Sequence, residues 1–70
     1  MEFVCVTFED QRDVYVDGVQ TARTNETFRV EEGRHQFDLG LPPDYDPPEM
    51  RLTVTGTTPI KPLAINFSKP

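Results

Sequence analysis

Hydrophobic and polar residues alternate along most of this 70-residue chain, with apolar side chains at every second position. That period is typical of half-buried β-strands, and no window of about eleven residues sustains a helical period. Six short runs carry the alternation, and their apolar stripes are predicted to face a core: Val4, Val6 and Phe8; Val14 and Val16; Phe28 and Val30; Phe37 and Leu39 beside His35; Met50, Leu52 and Val54; Leu63, Ile65 and Phe67.

Turn residues separate these runs at fairly regular spacing. Asp17-Gly18 ends the second run, and Glu31 to Arg34 is predicted to be a hairpin loop. Residues 19–24 are polar, and we expect an irregular connection there. Residues 40–49 read GLPPDYDPPE, and their two Pro-Pro pairs cannot join a central strand. The pattern predicts one all-β domain over residues 1–70, a small antiparallel β-sandwich of six to seven short strands.

The first run, residues 2–8, has apolar residues on both of its faces. Val4, Val6 and Phe8 form the stripe predicted to face the core, while Phe3, Cys5 and Thr7 occupy the opposite face. We therefore expect this strand to be covered on both sides. The single Cys excludes an internal disulfide, and Cys5 is predicted to be a buried structural thiol.

Net charge and hydropathy restrict the classes of partner. The formal net charge is −5 and the seven basic residues are scattered, which argues against nucleic-acid binding. No apolar run is long enough for a transmembrane helix, and the first residues do not resemble a signal peptide. We expect a cytoplasmic protein if the chain is complete, and a cell-envelope location if it is a domain of a longer protein.

No pattern of residues indicates catalysis. His35 is the only candidate general base near neutral pH, and we expect its ring to pack at the rim of the core. Nothing in the spacing brings Cys5 to His35, and one Cys with one His cannot form a structural zinc site. We therefore expect no catalytic residues, no cofactor and no enzymatic activity, and an enzyme that uses His35 is the least favoured alternative.

The loop over residues 38–49 offers an alternative function. Asp38, Asp44, Asp46 and Glu49 are weak candidates for calcium ligands, because hard cations take oxygen ligands. The loop lacks the spacing and central Gly of an EF-hand, and a solvated acidic loop is the simpler interpretation. Tyr45 either anchors this loop on the domain or, with Tyr15, offers an aromatic platform to a sugar or peptide.

Outward-facing residues of the fifth run suggest a surface for a partner. Arg51, Thr53 and Thr55 alternate with its apolar stripe and are predicted to face solvent. An open sandwich also exposes strand edges that can accept a partner's strand. With Tyr15 and Tyr45, these residues form the candidate surface for an unidentified protein or glycan partner.

Several short motifs resemble the PEGA domain family. The resemblance covers roughly residues 13–67 and rests on a V-x-V-D-G start, a hairpin, a loop tyrosine and a late strand with its turn. The matching residues are Val14, Val16, Asp17 and Gly18; Glu32, Gly33, Arg34 and His35; Tyr45; and Val54 and Gly56. Where the family has Thr-Pro preceded by Gly, this chain has Thr24-Asn25 preceded by Ala22-Arg23, and prolines lengthen the loop before Tyr45.

The PEGA resemblance implies a small β-sandwich module of a kind often repeated or appended in bacterial and archaeal envelope proteins. It implies no catalysis and carries no set of functional residues. The sequence thus predicts a non-catalytic interaction or structural module. The alternative is a cation- or carbohydrate-binding module that uses the loop 38–49 and Tyr45.

Overall fold

The computed structural model describes residues 1–70 and contains seven β-strands and no α-helix. This confirms the prediction of an all-β domain with short strands, arranged as a small β-sandwich. The strands are β1 (Glu2–Thr7), β2 (Asp13–Val16), β3 (Val19–Arg23), β4 (Glu26–Val30), β5 (Gly33–Asp38), β6 (Met50–Val54) and β7 (Leu63–Asn66).

The strands form two sheets, one of three strands in the order β4-β1-β7 and one of four in the order β3-β2-β5-β6. All neighbouring pairs are antiparallel except β1 and β7, which run parallel with Val4 opposite Leu63. The parallel pair arises because residues 55–62 carry the chain from β6 to the other sheet. There β7 starts beside the middle of β1 and runs in the same direction.

The core lies between the sheets and consists mostly of the predicted stripes. Its buried members are Val4, Val6, Phe8, Val14, Val16, Val30, Phe37, Leu39, Tyr45, Val54, Ile65 and Phe67. Phe28, Met50, Leu52 and Leu63, also predicted to face inward, are only half-buried at its margin. They belong to β4, β6 and β7, which are edge strands and so have a neighbouring strand on one side only.

The expectation of an irregular connection at residues 19–24 is wrong, because Val19–Arg23 forms β3. Asp17 and Gly18 both have positive φ (53° and 83°) and make the tight turn that pairs β3 with β2. A register shift between Val14 and Tyr15 distorts the pairing. All side chains of β3 except Ala22 are exposed, so no apolar alternation marks the strand.

Thr24 and Asn25 turn the chain from β3 in one sheet to β4 in the other. Thr24 is completely buried, and its Oγ1 accepts a hydrogen bond from the Arg12 backbone N–H and donates one to the Asp10 carbonyl oxygen. Asn25 adopts a φ of 65°, which asparagine tolerates better than most residues. The Thr24 hydrogen bonds tie this crossing to the connection between β1 and β2.

Candidate functional site

The surface has two cavities, and the larger is a groove of about 840 Å³ beside the edge strand β4. The smaller one, about 240 Å³, lies near Arg12 and Tyr15. We call the larger cavity the β4 groove. Its lining residues are Met1, Phe3, Thr21, Thr27, Phe28, Arg29 and Pro59.

Three apolar side chains and a proline give the β4 groove its apolar character. Phe3 lies on β1 directly opposite Arg29 of β4, so both side chains are on the outer face of the three-stranded sheet. Phe28 belongs to the inner stripe of β4, opposite Val4, and is half-buried because β4 is an edge strand. Met1 is 72% exposed at one end of the groove.

Arg29 carries the only charged side chain among the residues that line the β4 groove. Arg29 is exposed and makes no ion pair and no side-chain hydrogen bond. Four of the other basic residues are paired with carboxylates: Arg12 with Asp44, Arg23 with Asp13, Arg51 with Glu49, and Lys69 with Asp10. The groove therefore combines an apolar floor with an unpaired guanidinium group.

The backbone of β4 adds hydrogen-bonding capacity to the same groove. β4 pairs with β1 on one side and has no strand on the other. An edge strand presents a row of unpaired N–H and C=O groups, which a strand of another chain can use. The strand Glu26–Val30 contains no proline, no glycine and no register shift in its pairing with β1.

The surface predicted from the sequence lies on the opposite side of the molecule, on the outer face of the four-stranded sheet. Tyr15 of β2 and Arg51 and Thr53 of β6 point to this face, but β5 separates Tyr15 from the other two. Arg51 is paired with Glu49: Nε of Arg51 donates a hydrogen bond to the Glu49 carboxylate at 2.8 Å.

Thr55 lies just beyond the end of β6 and is used locally. Its hydroxyl donates a hydrogen bond to Oε2 of Glu32 at 2.6 Å. Glu32 lies in the loop from β4 in one sheet to β5 in the other, so the prediction of a hairpin at Glu31 to Arg34 is wrong. Arg51 and Thr53 lie on β6, and Thr55 follows directly after it. These polar side chains form no cavity with Tyr15.

Tyr45 lies in the core and anchors the loop 40–49. Only 7% of the residue is exposed, and its ring packs edge-on against Phe8 and Phe67. Its hydroxyl accepts a hydrogen bond from the Leu39 backbone N–H and donates one to the Gly40 carbonyl oxygen. The Tyr45 ring is therefore not presented to an external sugar or peptide.

Arg12 completes this anchor from the solvent side. Its guanidinium group lies 5.0 Å from the centre of the Tyr45 ring and 5.9 Å from that of Phe8. It donates a hydrogen bond to the Pro42 carbonyl oxygen at 2.7 Å and forms an ion pair with Asp44. One side chain thus holds the beginning and the middle of the loop.

The four acidic candidates for cation ligands do not converge, and no three His, Cys, Asp or Glu side chains form a group that could hold a metal ion. Asp44 is paired with Arg12, and Glu49 with Arg51. Oδ1 of Asp38 accepts a hydrogen bond from the Gly40 N–H at 2.9 Å. The backbone of Asp46 forms an isolated bridge with Ser68.

His35 is bound on both of its ring nitrogens. Nδ1 lies 2.7 Å from Oδ2 of Asp17, and Nε2 lies 2.7 Å from the Glu31 carbonyl oxygen. The hydrogen bond to Asp17 is the main reason why the pKa of His35 is raised, and the same bond lowers the pKa of Asp17. Cys5, which we expect to be buried, is only half-buried and lies in the other sheet. Through its two ring nitrogens, His35 links Asp17 in the β2–β3 turn to Glu31 in the loop before β5.

Comparison of the chain with protein-family models, with curated proteins and with solved structures finds no match. The chain forms no helical segment that could cross a membrane. The surface itself, above all the β4 groove, therefore provides the evidence on function.

One feature of the sequence indicates part of the β4 groove. The first run has Phe3 and Cys5 on the face opposite its core stripe, which predicts a strand covered on both sides. In the structure β1 is the central strand of its sheet, but its outer face is open, and Phe3 is half-buried there. The role of Phe28 and Arg29 depends on the pairing of β4 with β1, which alternation alone does not predict.

Proposed function

We propose that this chain is a non-catalytic interaction module, a PEGA-like β-sandwich that binds a partner through the β4 groove. The observation that carries the proposal is the pairing of the half-buried Phe3 with the unpaired Arg29 on one open face. Interface centres are enriched in aromatic and Arg side chains of this kind. The resemblance of residues 13–67 to PEGA domains supports the same class of function.

The physical reason for binding is the apolar surface that the groove leaves in contact with water. Phe3 and Phe28 are each half-buried, and Met1 is mostly exposed. Covering such surface is worth roughly 25 cal/mol per Å². Since every buried side-chain polar atom already has a hydrogen-bond partner, the interior holds no polar group that awaits a ligand. This favours a surface interaction over an enclosed active site.

An NMR screen with a library of small organic fragments tests this proposal. Fragments concentrate at surfaces that can bind partners, so we expect amide shift changes to cluster at Phe3, Thr27, Phe28 and Arg29. Changes that cluster on the Tyr15 and Arg51 face or in residues 38–49, or a library without hits, would contradict the groove as the binding surface.

A matched pair of variants gives the control. Thr27→Arg places a long charged side chain in the groove, while Thr53→Arg places the same side chain on the opposite sheet. Both threonines are exposed strand residues, so the two substitutions are expected to change folding stability similarly. We expect Thr27→Arg alone to remove the fragment hits.

A further inference from the structure

We infer that the β4 groove takes an extended peptide that adds a strand to β4 and carries an acidic residue next to an apolar one. This inference rests on the proposed function and names the chemistry of the partner. It follows from the free edge of β4 and from the different side chains on its two faces. The charge of Arg29 and the size of the groove support it.

The free edge of β4 favours an extended backbone as the ligand. Two of the other edge strands are less suited, because β3 has a register shift in its pairing with β2, and β7 has only four residues with Pro62 just before it. The edge strand β6 is as long and as regular as β4, but neither cavity includes any of its residues. Main-chain hydrogen bonds would align the peptide along Glu26–Val30. No side chain of β4 needs to change its face for this pairing.

The alternation of β4 sets the order of the peptide residues. Arg29 faces the outer side of the sheet, with Phe3, whereas its neighbour Phe28 faces the inner side, opposite Val4. Consecutive residues of an added strand point to the same two faces in turn. A peptide residue beside Arg29 therefore faces outward, and the next residue along the peptide faces the Phe28 side.

The charge at the groove selects an acidic residue for the outward position. Arg29 has no partner within the chain, and no lining residue carries a carboxylate. A guanidinium group can bind a carboxylate through two parallel hydrogen bonds. The next residue meets the half-buried Phe28, which favours an aromatic or long aliphatic side chain. The inferred motif is therefore an acidic residue directly adjacent to an apolar one.

The size of the groove favours a short segment over a second copy of this chain. Stable protein pairs bury about 800 Å² on each partner and involve roughly 20–30 residues a side. The β4 groove has seven lining residues, around a volume of about 840 Å³. That is enough for a few peptide residues, and the strand edge supplies the remaining contacts.

A displayed library of random heptapeptides, flanked by Gly-Ser linkers, tests the inference. Selection is run in parallel on the unchanged protein, on Arg29→Gln and on Arg34→Gln. Arg34 is a suitable control because it is also exposed and unpaired but lies in the other sheet. We expect adjacent acidic and apolar residues to be enriched by the unchanged protein and by Arg34→Gln. With Arg29→Gln, the acidic enrichment should disappear, and the affinity of enriched peptides should fall about tenfold.

The outcomes separate this inference from the proposed function. Peptides that map to Phe3, Phe28 and Arg29 by NMR but lack an acidic residue would overturn the inferred motif and leave the groove as the binding surface. Peptides that map elsewhere would overturn both, and so would a library that yields no binders. Self-association that buries the β4 groove, measured by sedimentation at several concentrations, would replace the peptide with a second copy.

Discussion

His35 of β5 and Asp17 of the β2–β3 turn are in contact, with 2.7 Å between Nδ1 of the imidazole and Oδ2 of the carboxylate. Nε2 of the same ring faces the Glu31 carbonyl oxygen, so both ring nitrogens face acceptors. Only the imidazolium form donates from both nitrogens. Asp17 also accepts a hydrogen bond from the Gln36 backbone N–H through Oδ1. The pair thus joins the β2–β3 turn to β5 most strongly when His35 is protonated.

This contact predicts a pH-dependent stability. Because folding raises the pKa of His35 above 6.5, its stabilisation is fully present below that value and is lost as the pH rises through the folded-state pKa. Because folding lowers the pKa of Asp17 below 3.8, its contribution is present above that value and is lost as the pH falls through the folded-state pKa. The pair therefore stabilises the fold most between these limits.

Asp17→Asn tests the charge without disturbing the turn, because asparagine also tolerates the positive φ of this position. We expect it to lower the free energy of unfolding by about 1 kcal/mol at pH 5 to 6, a magnitude typical of exposed ion pairs. The difference from the unchanged protein should shrink above pH 8. Urea unfolding at several pH values measures it, and a pH-independent difference would contradict this role of the charge.

The hydroxyl of Tyr45 is predicted to stabilise the loop 40–49. Tyr45→Phe removes the partner of the Leu39 N–H and of the Gly40 carbonyl oxygen. Leaving buried polar groups unpaired costs about 1–3 kcal/mol, and we expect a loss of that size in the free energy of unfolding. Tyr15→Phe is the control, because the Tyr15 hydroxyl makes no hydrogen bond in the chain. Equal effects of the two substitutions would contradict the prediction.

Gly40 is predicted to be required both for its backbone conformation and for space. Its φ is 72°, and a Cβ at this position would lie 2.5 Å from Cε1 of Tyr15. Gly56 has nearly the same φ, 71°, but a Cβ added there would have no other atom within 4 Å. Gly56→Ala therefore measures the backbone cost alone, about 1–2 kcal/mol. Gly40→Ala should destabilise by that amount plus about 1–3 kcal/mol for overpacking.

The double variant Tyr15→Ala with Gly40→Ala tests the steric part of this prediction. Removing the ring should bring the effect of Gly40→Ala down to that of Gly56→Ala, measured as melting temperatures or free energies of unfolding. If Gly40→Ala lowers the free energy of unfolding equally with and without the Tyr15 ring, the close contact does not contribute to the destabilisation.

Thr24 is predicted to hold the crossing between the two sheets through its hydroxyl group. Thr24→Val keeps the side-chain shape but removes the hydrogen bonds with the Arg12 N–H and the Asp10 carbonyl oxygen. Because the residue is fully buried, we expect the free energy of unfolding to fall by about 2 kcal/mol or more. Thr53→Val on an exposed strand should change it by less than about 0.5 kcal/mol. Similar losses for both would contradict the prediction.

The sequence predicts the core well because buried strands need alternating apolar residues. The stripes of β1, β2, β5 and β7 contain most of the buried residues. Alternation does not predict β3, because its side chains face solvent and only backbone pairing with β2 makes it a strand. The only sequence feature that indicates this pairing is the tight turn at Asp17-Gly18, which joins β2 to β3.

The candidate site is less predictable because it depends on contacts between distant segments. Phe3 and Arg29 are 26 positions apart (29 − 3) and meet only through the register of β1 and β4. The acidic residues of the loop are close in sequence, yet separate partners such as Arg12 and Arg51 hold them apart. The acidic residues of this loop are therefore close in sequence but form no cluster in the structure.

Amide hydrogen exchange of β4 is the most direct test of the β4 groove as the binding surface. The chain is compared with and without a peptide enriched by the displayed library, residue by residue. We expect exchange to slow for amides within Glu26–Val30, because an added strand pairs with the free edge. Unchanged exchange in β4, with slower exchange in β6 or in residues 38–49, would contradict the β4 groove as the binding surface.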